Sequence, residues 1–357
     1  MRDDSISIAK AFAIMLMVLG HSGFYTVGNN IIYMFHMPLF FFFSGFCFKS
    51  ASLNLFKLFA LKRVKGLYVP YVVASLLFLV LHNVFVYCNI YSADFPWGNH
   101  RELLYQQNDY LSLLKDIVLH MRGHEQLLGG FWFMGTLFRC SFISFFCICL
   151  CRHLKILVGV MLAASVVLLY YFGNAHLPIV DVGARELIAS CFFILGYVWK
   201  TEEIHAKIPK KAYIVFAVLL VASSFFFRME MVSPEYDKIV PWFISALLGI
   251  GCVFELSKRI AGLRNGMTRF FVFIGNHTLS ILVWHMLCFK LVSLVLVKWQ
   301  SLPASQLAEF PTIHAFSSSG GWILYFLVGT FLPIAGVCLK GKAKSLAWKK
   351  RGNETTN

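Results

Sequence analysis

The sequence predicts an all-α protein, a polytopic membrane helix bundle with about ten transmembrane helices. Four observations carry that prediction. The 357 residues are 59% hydrophobic and only 14% charged, whereas soluble domains are about a quarter charged. Mean hydropathy is +0.70. Aromatic residues make up 17%, with 37 Phe, which suits helices that face lipid as well as each other. Last, mostly apolar stretches recur near the roughly 20-residue length that carries a helix across a ~30 Å hydrocarbon core.

In order, these stretches lie near residues 6–24, 33–50, 67–88, 128–150, 156–172, 185–200, 212–227, 241–257, 271–296 and 321–339. The first reads as a retained helix: Asp3 and Asp4 precede it, Lys10 interrupts it, and it lacks a small-x-small cleavage site. With the amino terminus inside, 23 of the 32 Lys and Arg fall in inner loops and 7 in outer ones. That asymmetry follows the positive-inside rule and puts both termini in the cytoplasm. The chain, 1–357, reads as one membrane-embedded domain. An outer insertion, about 89–126, holds Asp94, His100, Glu102, Asp109, Asp116, His120, His124 and Glu125. A basic cytoplasmic tail, about 340–357, ends the chain.

The net charge of +15 does not imply nucleic acid, because the basic residues lie in short clusters between apolar runs rather than on one solvated face. The bilayer is the expected partner. Most of the ten Cys sit inside apolar runs without a CxxC pair, and Cys147, Cys149 and Cys151 would point in different directions on a helix. They read as small hydrophobes. His120 and His124 have the i, i+4 spacing of metal ligands, but no further ligand pattern accompanies them, and no metal is expected.

Two residues of the first stretch, AKAFAIMLMVLGHS, are ones that lipid penalises: Lys10 and His21. A lysine at membrane depth costs roughly 2.5–3.5 kcal/mol on insertion scales. Eleven helical residues turn through about 1100°, some 20° past three full turns, and rise about 16 Å. Lys10 and His21 thus share a face. Two readings fit: each meets water or headgroups at its own interface, or both face an interior cavity. The second stretch, YMFHMPLFFFFSGF, opens with His36 and Pro38. Proline is tolerated in a first turn, which puts His36 at the outer end of helix two, level with His21. Trp132 and Arg139 are seven apart on one face. Thr278 and His285 have the same spacing, with Lys290 beyond, and His285 reads first as a packed core residue.

At these residues the sequence resembles the acyltransferase-three family of integral-membrane O-acyltransferases, in particular its fucose 4-O-acetylase-like branch. The family's hallmark is a basic residue, ten residues and a histidine on the first helix, where Lys10 and His21 stand. Further marks follow in order: LKRVKGLYVPY with Pro70 and Tyr71, GGFWFMG with Trp132 and Phe133, FFILGY ending at Tyr197, and FIGNHTLSILVWH ending at His285. Where many members carry Asp, three residues before the basic position, this chain has Ser7. Where a second Arg often sits, it has Gly66.

The resemblance implies transfer of an acyl group, acetyl in the first place, from acyl-CoA to a hydroxyl of a sugar or cell-surface glycan. No cofactor would be bound permanently; acetyl-CoA or another acyl-CoA would be the donor substrate. It implies a multi-pass protein of the plasma (bacterial inner) membrane, with glycan-assembly proteins as further partners. The chemistry needs a base near neutrality, a part suited to His21, with His36 at the same level. It also needs positive charge, for which Lys10 and Arg139 are candidates, as electrostatic support or as holders of the donor. Lys57, Lys62, Arg63 and Lys65 either pair with donor phosphates or only set orientation. A competing reading is a transporter of a glycan or small solute, which also places Lys and His inside the membrane, although no internal repeat is present.

Overall fold

A computed structural model describes residues 3–24, 26–49, 52–91, 104–177 and 181–354, with side chains up to Leu339. Asp94, His100 and Glu102 lie outside the described residues. Apart from an isolated bridge between Glu230 and Ser233, the regular structure described is helical. The helices are α1 (Asp4–His21), α2 (Thr26–Phe46), α3 (Phe56–Arg63), α4 (Val69–Tyr87) and α5 (Gln107–Lys115). There follow α6 (Trp132–Leu150), α7 (Leu154–Phe172), α8 (Ala184–Thr201), α9 (Ile204–Lys207) and α10 (Ala212–Phe226). The last are α11 (Ile239–Leu263), α12 (Gly266–Asn276), α13 (Thr278–Trp299), α14 (His314–Phe316) and α15 (Trp322–Glu354).

Seven helical runs among the described residues are long and apolar enough to cross a bilayer: α1, Leu53–Tyr87, Gln126–Leu150, α7, α11, α13 and His314–Leu339. The other three expected stretches fall on α2, α8 and the 15-residue α10. Apolar side chains stand outward along these helices, Val80 at 70% and Phe226 at 86% exposure. In water such a surface would be a liability; against lipid it is the expected exterior. The chain is a multi-pass membrane protein.

Four local expectations change. α2 begins at Thr26, so Pro38 is interior and the first-turn argument for His36 fails. A membrane helix tolerates an interior proline because neighbouring groups satisfy the freed carbonyl. The stretch 271–296 is broken at His277 (φ −114°, ψ 17°), where the backbone N–H turns to the Ile274 carbonyl and the ring Nδ1 donates to Phe273 at 2.7 Å. The basic segment Lys57–Lys65 is helical rather than a loop, and it passes into α4 through a π turn, Val64–Tyr68. The insertion does not stand off in solvent. Tyr105 pairs with Asn83, the Tyr68 hydroxyl donates to the Val118 carbonyl at 2.7 Å, and Glu125 returns to His82, so the described part lies along α4.

Helix contacts at the centre are set by missing side chains. A Cβ on Gly45 of α2 would stand 1.8 Å from the Phe193 carbonyl oxygen of α8, and one on Gly196 of α8 would stand 2.0 Å from that of Phe42. The two helices meet backbone to backbone, the close approach that small residues allow inside membranes. Gly275 does the same for α12 against the Ser7 carbonyl of α1, at 1.8 Å. Glycines of the FFFFSGF, FFILGY and FIGN segments are therefore packing residues. Gly196→Ala should lower thermal stability in detergent by about 1–3 kcal/mol or more, the cost of overpacking. Gly159→Ala, whose Cβ would meet nothing within 4 Å on α7, should be neutral or stabilising; equal melting of the two variants would refute this packing account.

Candidate active site

The alternation of small and large residues on α1 leaves Ala9, Ala13 and Met17 against a cavity of about 450 Å³, with Lys10 and His21 on its wall. The shared face inferred from an eleven-residue spacing is this cavity face. α2 contributes Tyr33 and His36, the α3–α4 junction Arg63 and Gly66, and α6 Trp132 and Phe133. Ser44 of α2, Thr278 of α13 and Glu230 of the α10–α11 connection complete the polar lining.

The π turn matters here. Inserting one residue into a helical turn re-aims side chains, and such turns recur at functional sites. In this chain it follows Arg63, whose guanidinium lies over the Phe59 and Phe193 rings at 5.1 and 5.7 Å. Gly66 adds open space, since a Cβ there would meet nothing within 4 Å. Lys57, Lys62 and Lys65 are exposed and do not line the cavity. Lys10 and Arg63 mark one end and His21, Tyr33 and His36 the other.

The histidine end has a defined proton arrangement. His285 is buried, and its Nδ1 lies 3.0–3.1 Å from the carbonyl oxygens of Leu282 and Ile281. Carbonyls only accept, so Nδ1 carries the hydrogen and neutral His285 keeps its lone pair on Nε2. That Nε2 lies 3.1 Å from His21 Nδ1, with the rings stacked at 5.4 Å. His21 must then donate from Nδ1, which leaves its own Nε2 as a free base. His36 Nδ1 likewise donates to the Ile32 carbonyl at 2.8 Å. The Tyr33 ring stands beside both imidazoles, 6.5 Å from His21 and 5.1 Å from His36.

A family model described as an acyltransferase domain matches residues 3–341. The chain belongs to the acyltransferase-three family. No curated protein and no solved structure gives a significant match. Within this family member, three of the resembling segments converge on the cavity: Lys10 and His21, the α3–α4 junction, and Trp132 with Phe133. The FIGN segment reaches it through Thr278 and, behind His21, through His285. Tyr71 and Tyr197 are packing residues by contact, against Phe131 and Phe48.

Arg139 lies elsewhere. Its guanidinium donates to the His120 carbonyl at 3.0 Å and pairs with Asp181 at 3.1 Å and Glu186 at 3.2 Å. Asp181 also accepts from Arg122 Nε at 3.0 Å and His176 at 3.0 Å, while Glu186 accepts from Thr136 and the Gly183 N–H. Arg185, next to Glu186, lays its guanidinium 5.2 Å from the centre of the Trp132 ring. This cluster braces the wall that carries Trp132. His120 and His124 do not share a helix face, because the chain leaves the helix at Met121 (φ 50°).

Sequence reasoning undervalued His285 and passed over Tyr33, Glu230 and the Asp181–Glu186 cluster. Tyr33 had a signal, since it stands three residues before His36 on one helical face. Burial pushes the Asp181 carboxyl up, but His176, Arg122 and Arg139 outweigh it and hold the group well below its ordinary value. Its contribution to stability is therefore complete above the unfolded carboxyl pKa of about 3.9 and is lost as pH falls below it. Asp181→Asn should cost about 3 kcal/mol at neutral pH, by leaving the mostly buried Arg139 guanidinium short of charge. Melting curves in detergent should show that gap narrowing towards pH 3; a gap independent of pH would contradict the assignment.

Proposed function

We propose that this protein transfers an acyl group, acetyl in the first place, from acyl-CoA to a hydroxyl of a sugar or cell-surface glycan. The observation that carries the reading is the hydrogen-bonded pair His285–His21, which leaves Nε2 as the unprotonated nitrogen of His21, a residue lining the same cavity as Lys10 and Arg63. A general base needs a lone pair within reach of the proton it takes, and this pairing supplies one.

In this reading the acceptor hydroxyl gives its proton to His21 Nε2 while its oxygen attacks the thioester carbonyl. The tetrahedral intermediate collapses by breaking the carbon–sulfur bond, and the departing thiolate regains the proton from His21 as CoA thiol. His285 accepts the His21 Nδ1 hydrogen throughout and keeps the ring oriented while it is briefly cationic. Tyr33 offers an O–H donor for the charge that grows on the thioester oxygen. His36 Nε2, also an acceptor, orients the incoming hydroxyl.

About 16 Å of helix separates Lys10 from His21, too far for one atom to touch both. Lys10 and Arg63 therefore serve the donor, pairing with CoA phosphates while its long arm carries the thioester to the histidine end. Lys57, Lys62 and Lys65, exposed beside that end, attract the same anion. This assignment puts the Lys10 end on the cytoplasmic side of a plasma (bacterial inner) membrane, where acyl-CoA is made.

Replacing the base should cost about 10²–10⁴-fold in turnover. Acyl-transfer assays in reconstituted vesicles with His21→Ala should show that loss with insertion retained and stability lowered by only about 1–3 kcal/mol, because His285 Nε2 loses its partner; undiminished transfer would exclude His21. His285→Gln should lower kcat with little change in donor KM, and should move the acidic limb of the kcat–pH profile, because the orienting acceptor of His21 is altered. A variant with reduced KM effects only, or an unmoved profile, would leave His285 a packing residue.

A further inference from the structure

Of the cavity's two charged ends, the transfer chemistry above uses only the basic one. Lys10 and Arg63 are at one end, and among its described lining residues one carboxylate is present, Glu230. Glu230 belongs with the histidine end: Tyr33, which neighbours both imidazoles, lies within electrostatic range of it. The α10–α11 connection holds it in place. Met229 and Met231 on either side are buried at 1% and 2%, and the Glu230 carbonyl accepts from the Ser233 N–H at 3.3 Å. Arg228, an exposed residue outside the cavity lining, donates to Glu230 Oε1 at 2.6 Å. Oε2 has no protein donor among the described residues, so it can accept from a ligand.

We propose that Glu230 binds the acceptor, taking a hydrogen bond from a hydroxyl adjacent to the one acylated, and that the acceptor it selects is an uncharged sugar rather than an acidic one. The inference rests on the acyl-transfer reading. A carboxylate accepts from hydroxyls more strongly than a neutral oxygen does, and it repels another carboxylate. The Trp132 ring lines the same cavity and offers an apolar surface against which a sugar's C–H groups can pack.

The test uses the full chain in proteoliposomes with acetyl-CoA and matched acceptor pairs: galactose with galacturonate, glucose with glucuronate. Thiol release and product mass are read together. The unaltered protein should prefer the neutral member of each pair. Glu230→Gln, which keeps the size and the turn, should raise KM for the neutral sugar about tenfold, the loss of one charge-assisted hydrogen bond. It should raise KM for acetyl-CoA much less. Glu230→Lys should invert the preference towards the uronates. An unchanged neutral-to-uronate ratio in both variants, or a preference for uronates in the unaltered protein, would overturn the assignment to Glu230 while leaving acyl transfer intact. Absence of transfer to every sugar by the unaltered protein would remove the hydroxyl-acceptor reading, and this inference with it.

Discussion

Within a hydrocarbon layer a polar group must find its partner inside the protein. The bond between His21 and His285 is the clearest consequence in this chain. It joins the first helix to the thirteenth, gives the buried His285 and the half-buried His21 mutual satisfaction, and determines which nitrogen of His21 stays basic. It requires three neighbouring facts. His285 must be anchored by the carbonyls of its own helix; α13 must be freed from α12 by the break at His277; and α1 must sit close enough for a 3.1 Å contact.

That closeness is a matter of backbone. Gly275 lets α12 touch Ser7, and Gly45 with Gly196 lets α2 touch α8. No side chain intervenes at these crossings, so the helices hold their spacing by direct van der Waals contact, the main attraction left between helices in lipid. Large aromatic residues fill the space on either side, as in the stacked pairs Phe12–Phe271 and Phe192–Phe243. The cavity is what this arrangement leaves open where α1, α2, α6 and the π turn diverge. Its two ends differ in charge because the elements that meet there differ: basic α3 at one end, the Glu230 turn at the other.

A second polar assembly, Asp181 and Glu186 with Arg122, Arg139 and Arg185, stands behind the wall that presents Trp132. Three guanidinium groups against two carboxylates leave one positive charge in excess. Covering Asp181, Glu186, Arg139 and Arg185 costs more than an apolar core of the same size, and they are tolerated because each is paired or hydrogen-bonded. Their geometry fixes the loop before α8 to the insertion after α5 and to α6. The wall they support is thus made of three segments far apart in the chain.

Much of this was legible in the amino-acid sequence, and the reasons are physical. Hydropathy over windows of membrane length located the helices because lipid penalises every unsatisfied backbone group. The spacing of Lys10 and His21 revealed a common face because helical periodicity is local. Local signals also mislead: proline's first-turn tolerance suggests that α2 starts near Pro38, although it begins twelve residues earlier, and hydropathy leaves 271–296 unbroken although His277 competes for a backbone carbonyl. By itself, then, the sequence determined the membrane class, most helix positions, the family and the two residues on the face of α1, all properties of single segments. Only the tertiary structure decided that Arg139 belongs to a buried ion cluster, that Arg63 rather than its lysine neighbours reaches the cavity, and that His285 sets the tautomer of His21. Those outcomes depend on pairings between residues up to 264 positions apart, and no local pattern encodes such distances.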